Sequence, residues 1–371
     1  MKPRLVEKLA ALRDNLNCGH FILADAKDAD MAWGVASPGH AYPPRQGDPG
    51  AAAGAALRQR SMAEFREQIR EIVRQGAVDI MLASAATMDV LAHREQIFDA
   101  SDVTPAVRVN DATDVWLPRG GVYRESPSRP FASCYLEEVQ FGNLHGRTTM
   151  QQAHEAFAKF GRFVRASGEH LDEPVVNLGL YSATFNNCLE SDLATLAAFR
   201  EFRAYAQKRK FRYFLEVFAP NVKNAVAEEQ IPAFVNDSIC RMLAGVPLNS
   251  RPEFLKVPYF GPEALEELVA YDTSMLVGVL GGSSGTSFDA FTLLAEAKKH
   301  GARVALFGRK IKDAEHPLSF VALLRRVADG EIGPQEAVRA YHGELAKHNV
   351  PPRRSLEDDL QLTATELSYA R

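Results

Sequence analysis

The sequence predicts a (β/α)8 TIM barrel of the α/β class, and three observations carry that prediction. Eight short apolar runs recur along the chain, at 21–24, 78–83, 106–109, 175–180, 213–218, 254–259, 276–280 and 304–307. Segments with helical periodicity lie between many of them, at 62–75, 150–166, 191–208, 262–270, 287–300 and 317–329, and strand alternating with helix argues for a parallel sheet. The length of 371 residues is large for an ordinary domain but within reach of one barrel that carries insertions.

Several helical segments open with good starters, among them Gly261-Pro262-Glu263 and Ser287 before Phe288-Asp289. Two stretches break the rhythm. Residues 37–56 are rich in Gly, Pro and Ala and form a β1–α1 insertion, either a lid or a surface excursion. Residues 111–146 read as a hairpin inserted after strand three, although 132–139 could itself be a barrel strand. The expected organisation is one barrel over 1–330 and a helical C-terminal extension over 331–371 packed on it. That extension reads as two helices with Pro351-Pro352 between them.

A formal net charge of -4 lacks the basic face that nucleic acid requires. Lysines and arginines are scattered among acids, so no polybasic membrane patch is expected. No apolar stretch is long enough to span a bilayer, and residues 1–14 are charged throughout, without an apolar signal core. A cytoplasmic protein is expected. The four cysteines are far apart and show no C-x-x-C spacing, which suits free thiols.

Chemistry concentrates in the last three units. Lys256 lies inside the apolar run Phe254-Leu255-Lys256-Val257-Pro258-Tyr259. A lysine buried there loses the water around its ammonium, which favours the neutral amine that attacks carbonyls; a structural lysine paired with a buried acid is the competing reading. The turn Gly281-Gly282-Ser283-Ser284-Gly285-Thr286 follows run seven, and Gly308-Arg309 ends run eight. Backbone N–H groups of the turn, the start of the next helix and an arginine suit a phosphate, and barrels build phosphate sites from those two loops. Glu216, within Phe214-Leu215-Glu216-Val217-Phe218, could move protons or hold Lys256 by charge.

Asp25 and Lys27 end the first run, so at least one is expected to face the mouth, and Lys27 is the rival nucleophile. Asp111 closes run three and Tyr181 follows run four; each either lines the pocket or belongs to a hydrogen-bonded turn. The ten histidines show no H-x-H or H-x-x-x-H pair, so no metal and no other cofactor is expected, although Glu216 and Asp25 could still hold Mg²⁺. A Ser-His-Asp hydrolase is not expected.

Over residues 213–310 these motifs resemble the Schiff-base class I aldolases of the archaeal-type fructose-bisphosphate and tagatose-bisphosphate kind. The resemblance implies that Lys256 forms an imine with a ketone and that Gly281-Gly282 and Gly308-Arg309 hold substrate phosphate. It further implies that Asp25 and Glu216 match the family's strand-one and strand-five carboxylates. One departure stands out. The archaeal-type enzymes carry a tyrosine acid after strand five, where this chain has Phe218-Ala219-Pro220-Asn221, so either Tyr181 or a carboxylate takes that proton, or the reaction differs.

The expected function is therefore a lyase acting on a phosphorylated ketose. Catalytic candidates are Lys256, Glu216, Asp25 and Tyr181; binding candidates are Gly281, Gly282, Ser283, Ser284, Gly308, Arg309, Lys27 and Asp111. The alternatives are a metal-assisted sugar-phosphate isomerase or epimerase using Glu216 and Asp25, and a sugar-phosphate-binding regulator without turnover. The expected partner is a phosphorylated sugar, with neither nucleic acid nor membrane, and a barrel enzyme of this kind is expected to be a homo-oligomer.

Overall fold

A computed structural model describes residues 1–42, 58–142, 163–164, 170–171, 174–282 and 285–370. Eight parallel strands close into a barrel in chain order. They are β1 (Ile22–Lys27), β2 (Ile80–Ala83), β3 (Thr104–Arg108), β4 (Leu178–Thr184), β5 (Arg212–Phe218), β6 (Leu255–Val257), β7 (Val277–Leu280) and β8 (Val304–Phe307). The ring shuts where β8 pairs with β1, Val304 beside Ile22 and Phe307 beside Asp25. Each of the eight apolar runs supplies one strand, and the fold is a (β/α)8 barrel.

The helix Met62–Gln75 occupies the stretch the periodicity predicts, and its ends show why. Ser61 accepts from the Glu64 amide while the Glu64 carboxylate accepts from the Ser61 amide, and Gly76 closes the helix in the left-handed region at φ 72°. Helices Leu189–Lys208, Pro262–Tyr271, Ser287–Lys299 and Pro317–Asp329 likewise fall where they are expected. A further helix, Ile231–Ala244, links β5 to β6. The predicted helix at 150–166 lies largely outside the described residues, as does most of the 37–56 loop; Phe163–Val164 instead pairs antiparallel with His170–Leu171.

After β3, Asn110–Ala112 pairs antiparallel with Pro130–Ala132, which makes the expected hairpin. Residues 132–139 do not form a barrel strand. Leu136–Phe141 is helical, with Leu136, Val139 and Gln140 buried at the three- and four-residue spacing of one helix face. At the C-terminus, helix Pro334–Lys347 sets Tyr341 edge-on against Phe320, 5.3 Å between ring centroids. The second tail helix is a single turn, Leu356–Asp359. No helix among the described residues is long and apolar enough to cross a membrane.

The barrel wall separates two apolar clusters. Inside stand Ile22, Ala24, Ile80, Leu82, Ala106, Leu178, Leu180, Phe214, Phe254, Leu276, Val304 and Leu306; outside, the alternate residues pack on the helices. Every interior position carries an even number, so the two-residue period of each strand decides which side chains can reach the mouth. The lower end is stoppered by helix Pro3–Asp14, whose Leu5, Leu9 and Leu12 join the interior cluster. Ion pairs fix that stopper: Asp79, just before β2, takes Lys8 at 2.8 Å and Arg4 at 3.2 Å.

Truncating the stopper tests its contribution. Leu9→Ala should lower unfolding free energy by about 2–5 kcal/mol, read from urea denaturation. A loss under about 1 kcal/mol would mean that the helix adds little to the barrel's interior packing.

Candidate functional site

Registration between strands sets four residues in one row. Ser182 on β4 lies beside Glu216 on β5, Glu216 beside Lys256 on β6, and Lys256 beside Gly278 on β7. All four carry the interior parity, directly above the apolar layers. Lys256 is 6% exposed and donates from Nζ to Glu216 Oε1 at 2.6 Å. The other Glu216 oxygen, Oε2, accepts from Ser182 Oγ at 2.8 Å and from Arg108 Nη2 at 3.1 Å.

Arg108 ends β3 at the same level and completes the network. Its Nη1 donates to Ser182 Oγ at 2.8 Å and its Nε to Asp28 Oδ2 at 2.6 Å. Asp28 follows β1 with the interior parity. Two cations and two carboxylates therefore alternate across the barrel mouth: Lys256, Glu216, Arg108, Asp28. Burial opposes charge on Arg108, yet Asp28 and Glu216 hold its guanidinium firmly protonated. Burial alone would lift the Asp28 carboxyl, but Arg108 and Lys256 outweigh it and hold that group below the usual carboxylate range.

These residues open on a cavity of about 250 Å³. Asp28, Arg108, Glu216 and Lys256 form its floor, and Asp111 lines the wall. Asp111 differs from Asp28: burial pushes its carboxyl up, against the pull of the Ala112 amide and Arg108. The far side is built by Gly281, Gly282, Gly308, Arg309 and Lys312. Glycine is required there. Gly282 sits at φ 65°, and a Cβ on Gly308 would stand 2.7 Å from the Ala26 carbonyl oxygen. The segment after β1, with Met31, Ala32 and Trp33, forms part of the rim.

The cavity thus gathers Lys256, Glu216, Asp111, Gly281, Gly282, Gly308 and Arg309 from the predicted set. Ser283 and Ser284 lie outside the described residues. Three expectations need correction. Asp25 and Lys27 both point outward through the barrel wall, because the interior parity of β1 falls on Ala24, Ala26 and Asp28. They pair with each other, Lys27 Nζ to Asp25 Oδ2 at 3.2 Å, with both side chains fully buried. Tyr181 also faces out, stacked on Phe202 at 4.5 Å and tilted against Phe199 at 5.3 Å, so it reaches no pocket group.

Two further consequences follow. Glu216 and Asp25 stand on opposite faces of the wall and cannot share one Mg²⁺, which removes the ligand pair of the isomerase reading. The helix start at Ser287 is not open to phosphate either: its amide donates to Asp359 at 2.7 Å, and the Thr286 amide donates to Asp289 at 2.8 Å. Site residues beyond the predicted ones are Asp28, Arg108, Ser182, Trp33 and Lys312. Extending the two-residue alternation from Glu216 and Lys256 to every apolar run would have marked the first three.

No family model matches the chain, and no curated protein matches it in sequence. Solved structures do. An archaeal fructose 1,6-bisphosphate aldolase aligns with TM-score 0.53 and 15% identity over 87% of this chain and 99% of its own. A structure of the Schiff base forming fructose-1,6-bisphosphate aldolase gives TM-score 0.52 and 14% identity over 86% and 99%. A third, an archaeal aldolase with its catalytic Lys covalently bound to the carbinolamine intermediate of the substrate, gives 0.52 and 15% over 87% and 100%. What is shared is the barrel fold.

The buried pair outside the wall carries a pH signature of its own. Burial, ahead of the opposing pull of Lys27, raises the Asp25 carboxyl to about 6. The folded chain then binds this proton more tightly than the unfolded chain. The resulting stability is complete below the ordinary carboxylate range and is lost as pH rises through about 6. In urea unfolding, the advantage of the wild type over Asp25→Asn should shrink as pH rises across that window. Parallel stability curves for the two proteins would contradict the raised value.

Proposed function

We propose that the chain is a Schiff-base lyase of the class I aldolase type that forms or cleaves a carbon–carbon bond of a phosphorylated ketose. The observation that carries this reading is the Lys256 amine at the floor of the barrel mouth, 2.6 Å from a carboxylate and in the cavity that Gly281, Gly282, Gly308 and Arg309 wall. The fold shared with aldolases, one of them trapped as a lysine carbinolamine, supports it.

Glu216 would take the proton from Lys256, and the amine would add to the substrate ketone. The carbinolamine hydroxyl leaves as water on protonation, giving an iminium on Nζ. Asp111, whose carboxyl burial pushes up, is suited to donate that proton. Asp28, held ionised beside Arg108, is suited to take the proton from the hydroxyl of the carbon about to leave. The carbon–carbon bond then breaks, its electron pair flows into the iminium as an enamine, and an aldehyde departs. Protonation and hydrolysis of the enamine return the amine. Two carboxyls pushed in opposite directions supply the acid and the base without the tyrosine that the sequence lacks.

Arg309, Lys312 and the glycine amides would hold the anionic end of the substrate. Lys312 is 6% exposed and lies over the face of Trp33, Nζ 5.5 Å from the ring centroid, so its charge is fixed at the rim.

Borohydride reduction in the presence of a ketose phosphate tests this reading. One stable adduct should form on Lys256 and none in Lys256→Ala, and chelators should leave the yield unchanged. Glu216→Gln should lower turnover about 10²–10⁴-fold and also lower stability, because Lys256 and Arg108 lose their shared carboxylate. Equal labelling of Lys256→Ala and the wild type would refute the assignment.

A further inference from the structure

A second cavity, of about 590 Å³, lies beside the first and shares Trp33, Arg309 and Lys312 with it. Its other walls come from Lys310, in the short helix Arg309–Lys312 after β8, and from Arg353 and Arg354 in the C-terminal tail just past Pro351-Pro352. Five cations line it, Arg309, Lys310, Lys312, Arg353 and Arg354, against three carboxylates, Asp313, Glu315 and Asp359.

Two of the carboxylates, Asp359 and Glu315, also hold partners outside this set of cations, and the third pairs with Lys312. Asp359 accepts the Ser287 amide at 2.7 Å and meets His342 Nε2 at 3.1 Å. Glu315 accepts the Tyr341 hydroxyl at 3.1 Å and the Arg353 amide at 3.0 Å. Asp313 stands 3.7 Å from Lys312 Nζ. The remaining cations rest on neutral partners. Lys310 Nζ and Arg354 Nη1 both donate to the Gly285 carbonyl, Arg354 at 3.4 Å. Arg309 reaches the Gly282 carbonyl at 3.4 Å, and the Arg353 guanidinium lies over the Tyr42 ring at 4.4 Å. Among the described residues, Arg309, Lys310, Arg353 and Arg354 form no ion pair with a carboxylate.

Five cations outnumber the three carboxylates around them and repel one another, and the structure eases this by also spreading them over carbonyls and ring faces. Burial, only partly offset by Asp359, pushes Lys310 down to about 8. A multivalent oxyanion would relieve the repulsion and offers the oxygen geometry that guanidinium groups bind in pairs.

We propose that this cavity is a second anion site, built by the loop after β8 together with the C-terminal tail, and that it takes a phosphate-class oxyanion. The oxyanion is either the far end of the reacting sugar phosphate or part of a free phosphorylated effector. The residues that distinguish this site are Lys310, Arg353 and Arg354; only the first of these two sources rests on the lyase reading.

Calorimetric titration of the full chain with inorganic phosphate tests it. Arg353 and Arg354 are exposed, so the double variant R353A/R354A should fold as the wild type does, and K310M gives an independent probe from the other wall. Each should weaken one phosphate-binding event at least tenfold, while Lys256→Ala binds as the wild type. Wild-type phosphate affinity and stoichiometry in both R353A/R354A and K310M would overturn the proposal. Affinity for a ketose bisphosphate, measured beside its monophosphate, separates the sources. A selective loss of bisphosphate affinity in R353A/R354A assigns the site to the substrate, and loss of phosphate binding with both ketose affinities intact assigns it to an effector. Failure of adduct formation on Lys256 alongside intact phosphate binding would sink the lyase reading and leave this site standing.

Discussion

Lys256, Glu216, Arg108 and Asp28 are held almost out of water because each meets an opposite charge, at 2.6, 3.1 and 2.6 Å along the row. Desolvating one such ion costs several kcal/mol, and removing one member of a buried pair typically costs about 3–5 kcal/mol because its neighbour is left uncompensated. Replacing the whole row by apolar side chains could leave the barrel just as stable. The row is therefore poor economy as scaffolding; in the proposed lyase it would serve chemistry, since Lys256 and Glu216 stand 2.6 Å apart, close enough to exchange a proton in place. Ser182 ties the middle of the row, donating to Glu216 and accepting from Arg108.

That arrangement depends on strand geometry more than on any one contact. The parallel register sets Ser182, Glu216, Lys256 and Gly278 side by side, and the two-residue period turns them all inward. The same period sends Asp25, Lys27 and Tyr181 through the wall into the layer between strands and helices. Below the row, apolar residues and the Pro3–Asp14 stopper exclude water from the interior. Above it, the β1 segment with Trp33 and the loops after β7 and β8 shape the opening. The tail reaches the same rim, where Asp359 satisfies the Ser287 amide and Asp289 accepts from the Thr363 amide at 2.7 Å.

The barrel could be read from the chain because its eight strands are apolar on both faces and are bounded by breakers. Lys256 and Glu216 stood out as lone charges inside such runs. The very continuity that reveals a buried parallel strand hides which face is which. In Leu23-Ala24-Asp25-Ala26-Lys27-Asp28 the alternation sets Asp25 and Lys27 on one face and Asp28 with the alanines on the other, and the inward one is Asp28. Arg108 ends its run and looks like an ordinary strand boundary until Ala106 fixes the parity. The stopper helix was equally present, as Leu5, Leu9 and Leu12 at helical spacing, but its three leucines are diluted among charges. The closure of the Ser287 helix start by Asp359 comes from a residue 72 positions away, and no local pattern encodes it.

The central claim is that the Lys256 amine is the nucleophile of the cavity. A 1,3-diketone tests it without knowledge of the true substrate, because a neutral amine condenses with it to a conjugated enaminone that absorbs in the near ultraviolet. The account predicts one equivalent of enaminone per chain, mapped by mass spectrometry to Lys256. Labelling spread over surface lysines, with Lys256 unmodified, would contradict it.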